Sequence, residues 1–110
     1  MSTSTVLTHH LQSITRGVEA IMSDYTEESV FFTQNGPLKG LAAIRGFFKN
    51  FLSSPDVIAA LTVTRQDIEG EIAYLVWHAA PFIPWATDTL VIRDGKIQSQ
   101  TFSMLASPPG

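Results

Sequence analysis

At 110 residues the chain is long enough for one domain with a hydrophobic core and too short for two. Hydrophobic residues make up 45% and charged residues 15%, proportions typical of a compact globular protein rather than a disordered one. Seven Lys and Arg against ten Asp and Glu leave a formal charge of −3, and the absence of any basic stretch argues against a nucleic-acid or anionic membrane surface. The chain has no cysteine, which excludes disulfides, thiolate nucleophiles and cysteine metal sites.

The sequence contains no recognisable targeting signal or membrane span. Its first residues lack a basic start followed by a long apolar run, and no apolar run reaches the length of about 18 residues that a membrane span needs. We therefore expect a cytoplasmic protein with a single domain over 1–110, ending in a disordered tail at about 106–110.

The N-terminal part predicts two helical segments and a polar turn. Its apolar residues recur at steps of three and four, the spacing of one helical face, at Leu7, Leu11, Ile14, Val18 and Ile21. Gly17 is placed to bend or split this helix. The acidic residues Asp24, Glu27 and Glu28 predict a solvated turn after it.

A short strand over 29–33 is predicted next, closed by a turn at 35–37. A third helix follows and ends before Pro55, with an aromatic-rich apolar face formed by Leu41, Ile44, Phe48, Phe51 and Leu52. The remaining sequence predicts four strands, over 58–68, 72–80, 86–93 and 96–105. Helices followed by strands favour an α+β fold, with the helices on one face of a curved antiparallel sheet.

The most informative residue is Asp88, an acid on an apolar strand face. Side chains of a strand alternate between two faces, so Asp88 points the same way as Ala86, Leu90 and Ile92. A carboxylate there must be paired, solvated by a cavity or protonated, because an isolated buried charge costs several kcal/mol or more. The alternative is an acid at the rim of the sheet that is hydrogen-bonded to a threonine and exposed to solvent on one side. Asp88 is thus the first candidate for chemistry.

The register of the last hairpin decides which residue lies opposite Asp88. A two-residue loop at Asp94-Gly95 would place Asp88 opposite Thr101 and Arg93 opposite Lys96, an unfavourable pair of like charges. A three-residue loop would place Asp88 opposite Gln100 and Ile92 opposite Lys96. We favour the three-residue loop, which makes Gln100 the expected hydrogen-bonding neighbour of Asp88.

His10 is the second candidate. It lies three residues after Leu7 and four before Ile14, at the margin of the buried helical stripe, whereas His9 points almost to the opposite side. A histidine facing inward can donate a hydrogen bond or act as a general acid or base near neutral pH. The alternative is a partly buried histidine bonded to a backbone carbonyl or to water.

Four stretches occur in an order and spacing that span nearly the whole chain: 17–22, 25–30, 36–40 and 88–102, the last built around Asp94-Gly95-Lys96-Ile97. They resemble the cone-shaped α+β superfamily that includes nuclear transport factor 2, ketosteroid isomerase and the SnoaL-like polyketide cyclases. The resemblance implies a cone-shaped, curved antiparallel sheet wrapped around the N-terminal helices and enclosing an apolar pocket. It does not imply one function, because this fold carries isomerases, dehydratases, hydrolases, cyclases and binding modules.

The resemblance also implies roles for polar residues. Asp88 lines up with an acid that donates a hydrogen bond to an oxyanion, a role that an apolar pocket supports because it keeps a carboxyl protonated. His10 falls near an oxyanion-binding tyrosine of ketosteroid isomerase-like members. Tyr25 matches a tyrosine that supports such a donor, the alternative being a core tyrosine with its hydroxyl at the surface.

Other positions are implied to line the pocket or the outer sheet face. Trp77, Phe102 and Met104 fall at wall positions, although an aromatic residue in a strand is more often ordinary core, and we add Phe48 and Gln100 to the ligand-binding set. Thr33, also in that set, stands where ketosteroid isomerase-like enzymes have the aspartate that moves the proton, so the usual isomerase mechanism is not expected. His78 should lie on the outer face, where relatives often dimerise.

These residues predict a small-molecule pocket protein that binds an apolar, cyclic or carbonyl-bearing metabolite, with Asp88 and His10 as the polar groups that orient it or perform acid–base chemistry. The alternative is a non-catalytic binding or dimeric scaffold domain with a vestigial pocket. Three scattered histidines, no glycine-rich phosphate loop and no Gly-x-Ser-x-Gly motif lead us to expect no metal and no cofactor.

Overall fold

The computed structural model describes residues 2–105, so the predicted tail at 106–110 lies outside the described residues. Its helices are α1 (Thr3–Ser13), α2 (Val18–Met22), α3 (Leu41–Phe51) and α4 (Pro55–Ala60). Its strands are β1 (Val30–Thr33), β2 (Gly36–Lys39), β3 (Thr62–Glu69), β4 (Ile72–Ala79), β5 (Ile83–Arg93) and β6 (Lys96–Leu105). The predicted α+β class is confirmed. No helix within the described range is long and apolar enough to cross a membrane.

The six strands form one curved sheet in the order β2-β1-β6-β5-β4-β3. Neighbouring strands are antiparallel except for β1 and β6, which run parallel, so the sheet is mixed rather than wholly antiparallel. This parallel pair brings the N-terminal half of the chain against the last strand. The centre of the sheet is therefore β6 and β5, the strands that carry Gln100 and Asp88.

Gly17 divides the N-terminal helices as predicted. Its φ of 112° lies in a region that L side chains rarely adopt, and it directly precedes α2. At the other end of α1, the Ser2 hydroxyl accepts a hydrogen bond from the Thr5 backbone N–H at 3.1 Å and caps the helix. The Gly17 conformation explains why the apolar spacing continues across two helices instead of one, and the Ser2 cap fixes the start of α1.

Two elements differ from the prediction. The segment predicted as the start of a strand at 58 is instead α4, because Pro55 has a φ suited to the first turn of a helix and β3 begins only at Thr62. The segment predicted as a turn at 35–37 begins strand β2. That strand contains Pro37, which is compatible with β2 because it lies at the edge of the sheet.

The register of the β5–β6 hairpin also differs from the prediction, and the expected three-residue loop is wrong. Asp94 and Gly95 form a two-residue loop with φ values of 54° and 74°, and Arg93 lies opposite Lys96. The like charges are accommodated because Arg93 pairs with Glu71 at 2.9 Å and the Lys96 ammonium donates to the Ser23 carbonyl at 2.6 Å.

A register shift farther along this hairpin places Asp88 opposite Phe102, not opposite Gln100 or Thr101. The shift falls between Val91 and Ile92, where one extra residue of β6 is accommodated as a bulge. Because a one-residue shift exchanges the faces of a strand, the bulge turns Gln100 and Phe102 to the same face as Asp88. The predicted shared face is thus present, although a bulge within the strand and not the loop creates it.

The core lies between the inner sheet face and the helices. On β4, Ala73, Leu75, Trp77 and Ala79 are buried and alternate with more exposed residues, among them His78, which is on the outer face as predicted. Helices α1 and α3 cover these side chains with fully buried or nearly buried residues, among them Val6, Leu7, Ile44 and Phe48.

Replacing Ile97 tests this packing. Its side chain is fully buried, so Ile97→Ala should lower the free energy of unfolding by about 2–5 kcal/mol through lost apolar contact and a residual cavity. The matched control is Ile68→Ala in the same sheet, where the side chain is 38% exposed and the loss should stay below about 1 kcal/mol. Urea unfolding of the two variants measures the difference, and equal losses would contradict the assigned core.

Candidate functional site

The inner sheet face and the helices enclose a cavity of about 200 Å³. Six aromatic side chains line it: Phe31, Phe47, Phe48, Phe51, Trp77 and Phe102. Aliphatic residues complete the wall, among them the half-buried Leu11, Ile14, Leu61 and Val63. Polar side chains reach it from three elements: His10 of α1, Asp88 of β5 and Gln100 of β6. The predicted convergence of these three residues on one cavity is therefore present in the structure.

A chain of hydrogen bonds holds the Asp88 carboxyl group. The Trp77 indole Nε1–H donates to Asp88 Oδ1 at 2.8 Å, and the Gln100 Nε2–H donates to Asp88 Oδ2 at 2.7 Å. Behind Gln100, the buried Tyr25 hydroxyl donates to Gln100 Oε1. Because the tyrosine hydroxyl donates to the amide oxygen, the amide nitrogen is directed toward Asp88. The predicted contact of Gln100 with Asp88 is confirmed, and no threonine takes part.

Asp88 is 7% exposed and its pKa reflects opposing effects. Burial raises the pKa from its ordinary value of 3.8 to about 6, while the hydrogen bonds from Trp77 and Gln100 lower it. Asp88 is therefore mostly a carboxylate at pH 7 and a hydrogen-bond donor only below about pH 6. A carboxyl group with this pKa can accept and return protons close to neutral pH.

His10 is buried and neutral. Burial, followed by the neighbouring His9, lowers the pKa of His10 from 6.5 to about 4. The ring lies edge-on to Tyr25 and Phe48, with centroid distances of 6.1 and 6.0 Å. Its Nδ1 atom is buried without a hydrogen-bond partner, unlike the alternative of a histidine bonded to a carbonyl. A neutral imidazole carries one donor and one acceptor nitrogen, so His10 has unused hydrogen-bonding capacity beside the cavity.

Tyr25 lies behind the cavity wall with its hydroxyl buried, not at the surface. Burial, followed by the charge of Asp88, raises its pKa well above the ordinary value of 10.0. The hydroxyl is consequently protonated at neutral pH and supports Gln100. Tyr25 orients the site through Gln100 and is not among the residues that line the cavity.

Three aromatic residues that line the cavity, Phe31, Phe47 and Phe51, were missing from the predicted ligand-binding set. Phe47 contacts Phe31 and Phe102, with ring centroids 4.8 and 5.8 Å apart, and all three line the cavity. The sequence contains a signal for Phe47, because it lies three residues after Ile44 and four before Phe51 and so belongs to the apolar side of α3. Phe31 carries a weaker signal, since a four-residue strand shows little alternation.

Asp24 corrects the expectation of a solvated acidic turn. It is only 4% exposed, and its two carboxylate oxygens lie 2.9 and 2.8 Å from His9 Nδ1. Burial raises the pKa of Asp24, whereas His9 and Lys96 lower it. The pair joins α1 to the segment after α2, and the Ile97 N–H binds the Asp24 carbonyl at 2.7 Å. Asp24 thus anchors the helices to β6, away from the cavity lining.

No family model and no curated protein matches the sequence. Solved structures do match it. An NTF2-like protein of unknown function from Cytophaga hutchinsonii ATCC 33406 superposes with a TM-score of 0.76 and 14% identity, covering 96% of this chain and 91% of that chain. An NTF2-like protein of unknown function from Mesorhizobium loti gives a TM-score of 0.78 and 12% identity, with 94% and 91% covered.

This chain has the NTF2-like fold. The predicted resemblance to the SnoaL-like and nuclear transport factor 2-like superfamily is confirmed at the level of fold. A third match is a hypothetical protein with a ketosteroid isomerase-like fold from Catenulispora acidiphila DSM 44928, solved in complex with trimethylamine. Its TM-score is 0.65 and its identity 15%, covering 89% of this chain and 83% of that chain. Identities this low carry the fold and leave function to the residues of the site.

Besides Tyr25, two further predicted ligand-binding residues, Thr33 and Met104, do not line the cavity. Thr33 lies at the β1–β2 turn, where its hydroxyl donates to the Gly36 carbonyl at 2.9 Å. Met104 is 36% exposed and lines a neighbouring groove with Asn50 and Ser54. Phe102 contributes to both cavity and groove. Among residues 2–105, no three His, Asp or Glu side chains are grouped to hold a metal ion.

The raised pKa of Asp88 predicts a pH-dependent stability difference. Stability contributed by a raised carboxyl pKa is fully present below about pH 3.8 and is lost as the pH rises through about 6. Asp88→Asn removes this titration, and two pKa units correspond to roughly 3 kcal/mol. The free energy of unfolding of the variant minus that of wild type should therefore increase by up to about 3 kcal/mol between pH 4 and 7.5, because only wild type loses stability as Asp88 ionises.

Urea unfolding across this pH range measures the effect. The matched control is Asp56→Asn, the same change at an exposed position of α4. A difference between D88N and wild type that stays constant from pH 4 to 7.5 would show that burial does not perturb Asp88.

Proposed function

We propose that this NTF2-like protein binds a small apolar cyclic metabolite and performs acid–base chemistry on it, with Asp88 and His10 as the reacting groups. The observation that carries the proposal is the convergence of His10, Asp88 and Gln100 on one aromatic cavity. Concave, mostly apolar cavities with a few converging polar groups are the usual form of small-molecule sites. A titratable group with a perturbed pKa in such a cavity is a candidate for function.

The size of the cavity limits the ligand. Its volume of about 200 Å³ is somewhat larger than the roughly 150 Å³ cavities that admit benzene. A molecule of one or two rings fits this volume, whereas a four-ring steroid would need a larger cavity. The complex of the Catenulispora neighbour with trimethylamine supports a small ligand at this scale.

The reaction class follows from the state of the two groups. Above about pH 6 the Asp88 carboxylate can take a proton from one atom of the ligand and return it to another, which leaves the protein unchanged. Neutral His10 can donate to or accept from the opposite side of the ligand. This arrangement favours an isomerase, cyclase or dehydratase type of reaction that needs no cofactor. With Thr33 at the place of the usual proton-moving aspartate, the ketosteroid isomerase mechanism is not proposed.

The test is a ligand screen with three forms of the protein. Wild type should gain thermal stability with members of a panel of one- and two-ring ketones, lactones, epoxides, alcohols and amines. Asp88→Asn should lose most of that gain, since the variant replaces a charged acceptor by a neutral amide, and turnover of any substrate found should fall by about a hundredfold or more.

Asp56→Asn should keep the wild-type ligand profile, because the same substitution then lies on the exposed surface of α4. An identical ligand profile in D88N and wild type would refute the proposal. So would a wild-type protein that responds to no member of the panel.

A second proposal concerns the outer face of the sheet. It gives the chain a role as an interaction domain, which does not require a ligand in the cavity. We propose that this face forms a homodimer. Its exposed apolar residues are Phe32, Ile72, Tyr74, Trp85 and Leu105, between 36% and 61% exposed. The register aligns Phe32 and Tyr74 across four strands through Thr101 and Thr89, so they share one face. Contiguous exposed apolar surface of this kind is typical of interaction sites.

Sedimentation equilibrium tests the dimer. The double variant Tyr74→Lys, Trp85→Lys should be monomeric, because it would place charges in a desolvated interface, while wild type should be dimeric. The matched control is Ile68→Lys, at a residue that is 38% exposed and lies opposite inward-facing Ala73. A wild-type monomer, or equal dissociation of both variants, would contradict the assignment.

A further inference from the structure

The cavity contains a negative charge without a positive partner. Among the residues that line it there is no Lys or Arg, and Asp88 is the acid. The titratable groups that face Asp88 are His10 from α1 and Tyr25 from the segment after α2, while the lining residues of α3, β4 and β6 include none. Burial keeps His10 neutral and Tyr25 protonated at neutral pH. A ligand is therefore the available source of compensating positive charge.

The hydrogen bonds around Asp88 occupy N–H groups of Trp77 and Gln100 and leave acceptor sites free on the carboxylate. The Trp77 and Gln100 N–H groups that line the cavity already bind Asp88, and the Tyr25 hydroxyl binds Gln100. Each carboxylate oxygen accepts one of these bonds and retains a second acceptor site. At neutral pH a ligand carbonyl therefore finds the uncharged His10 ring as its available donor, whereas a ligand N–H finds a charged carboxylate, the stronger hydrogen-bonding partner.

The aromatic walls next to Asp88 suit a cation. Asp88 on β5 lies directly opposite Phe102 on β6 and diagonally opposite Trp77 on β4, and these two rings are nearly parallel with centroids 5.9 Å apart. Phe51 meets Trp77 edge-on at 6.1 Å. A cation within about 6 Å of an aromatic ring is attracted by its π electrons, most strongly by tryptophan, and the attraction grows when water is excluded.

We propose that the cavity binds a small protonated amine, whose ammonium N–H donates to the Asp88 carboxylate beside the Trp77 and Phe102 rings and whose apolar body fills the aromatic cavity. This inference rests on the proposed function, because it names the ligand class of the same site. An anionic ligand is disfavoured by repulsion from Asp88, and a neutral ligand forgoes the charge-assisted hydrogen bond.

Two matched probes test the ligand class. Benzylamine and benzyl alcohol have the same ring and nearly the same size, but only the amine carries a positive charge at neutral pH. Binding is followed by the indole N–H signals in two-dimensional ¹H–¹⁵N NMR. Trp77 reports on the cavity through its bond to Asp88, and Trp85, 48% exposed on the outer face, serves as the internal control.

At pH 7.5 benzylamine should shift the Trp77 signal without shifting that of Trp85, and should bind about tenfold or more tightly than benzyl alcohol. Its affinity should fall as the pH drops from 7.5 to 5, since protonation of Asp88 removes the carboxylate. The affinity of benzyl alcohol should change less. Asp88→Asn should reduce the preference for the amine to within about twofold, and Asp56→Asn should leave it intact.

The outcomes separate this inference from the proposed function. If benzyl alcohol binds through Trp77 as tightly as benzylamine at pH 7.5, the cavity is a ligand site but the amine class is wrong. If neither probe moves the Trp77 signal, the amine inference is overturned, whereas the proposed function is overturned only if the ligand panel also gives no response. An amine affinity that does not change between pH 5 and 7.5 in wild type also overturns the inference, and this measurement needs no variant.

Discussion

The burial of the Asp88 carboxyl group is the constraint around which the central sheet is arranged. A buried carboxylate needs hydrogen-bond donors, and here they come from both neighbouring strands, Trp77 of β4 and Gln100 of β6. Both contacts require the side chains to share the inner face. The β5–β6 bulge establishes this for Gln100, and without it the two-residue loop would turn Gln100 to the outer face. The small irregularity in β6 is thus part of the site.

This arrangement extends from the sheet to the helical layer. The Tyr25 hydroxyl fixes the Gln100 amide, and Tyr25 follows directly after Asp24, which binds His9 of α1. The same short segment therefore orients the site on one side and fixes α1, the helix that carries His10, on the other. Such satisfied polar networks are more rigid than isolated contacts, because each member loses its partner if another moves. The opposite pKa directions of Asp88 and His10 share one cause, the removal of water from the cavity.

The sequence was sufficient to identify the polar residues of the site but not to predict which residues they pair with in the folded chain. Alternation along β5 identified Asp88 as an inward acid, and helical spacing separated His10 from His9, because both signals are local. The hairpin register depended on distant residues: Glu71 and the Ser23 carbonyl make the Arg93–Lys96 pair tolerable, and neither lies within the hairpin. Asp24 was assigned to solvent for the same reason, since its partner His9 lies 15 residues earlier. In α4, the β-branched Ile58 was predicted to begin a strand, and the position of Pro55 at the helix start outweighed this preference.

The NTF2-like fold explains why a cavity lies at this position, but the chemistry of the cavity depends on which atoms remain free within it. In this chain the tyrosine hydroxyl is used to hold a glutamine, and the glutamine is used to hold the acid. The Trp77 and Gln100 donors are consequently engaged with Asp88, and the open capacity is that of the carboxylate and of the neutral His10 ring, whose Nδ1 has no hydrogen-bond partner. Two proteins with the same backbone can therefore select opposite ligands, one presenting donors to an oxygen and the other an acceptor to an N–H group. For this protein, the direction of the Tyr25–Gln100–Asp88 hydrogen bonds favours the second.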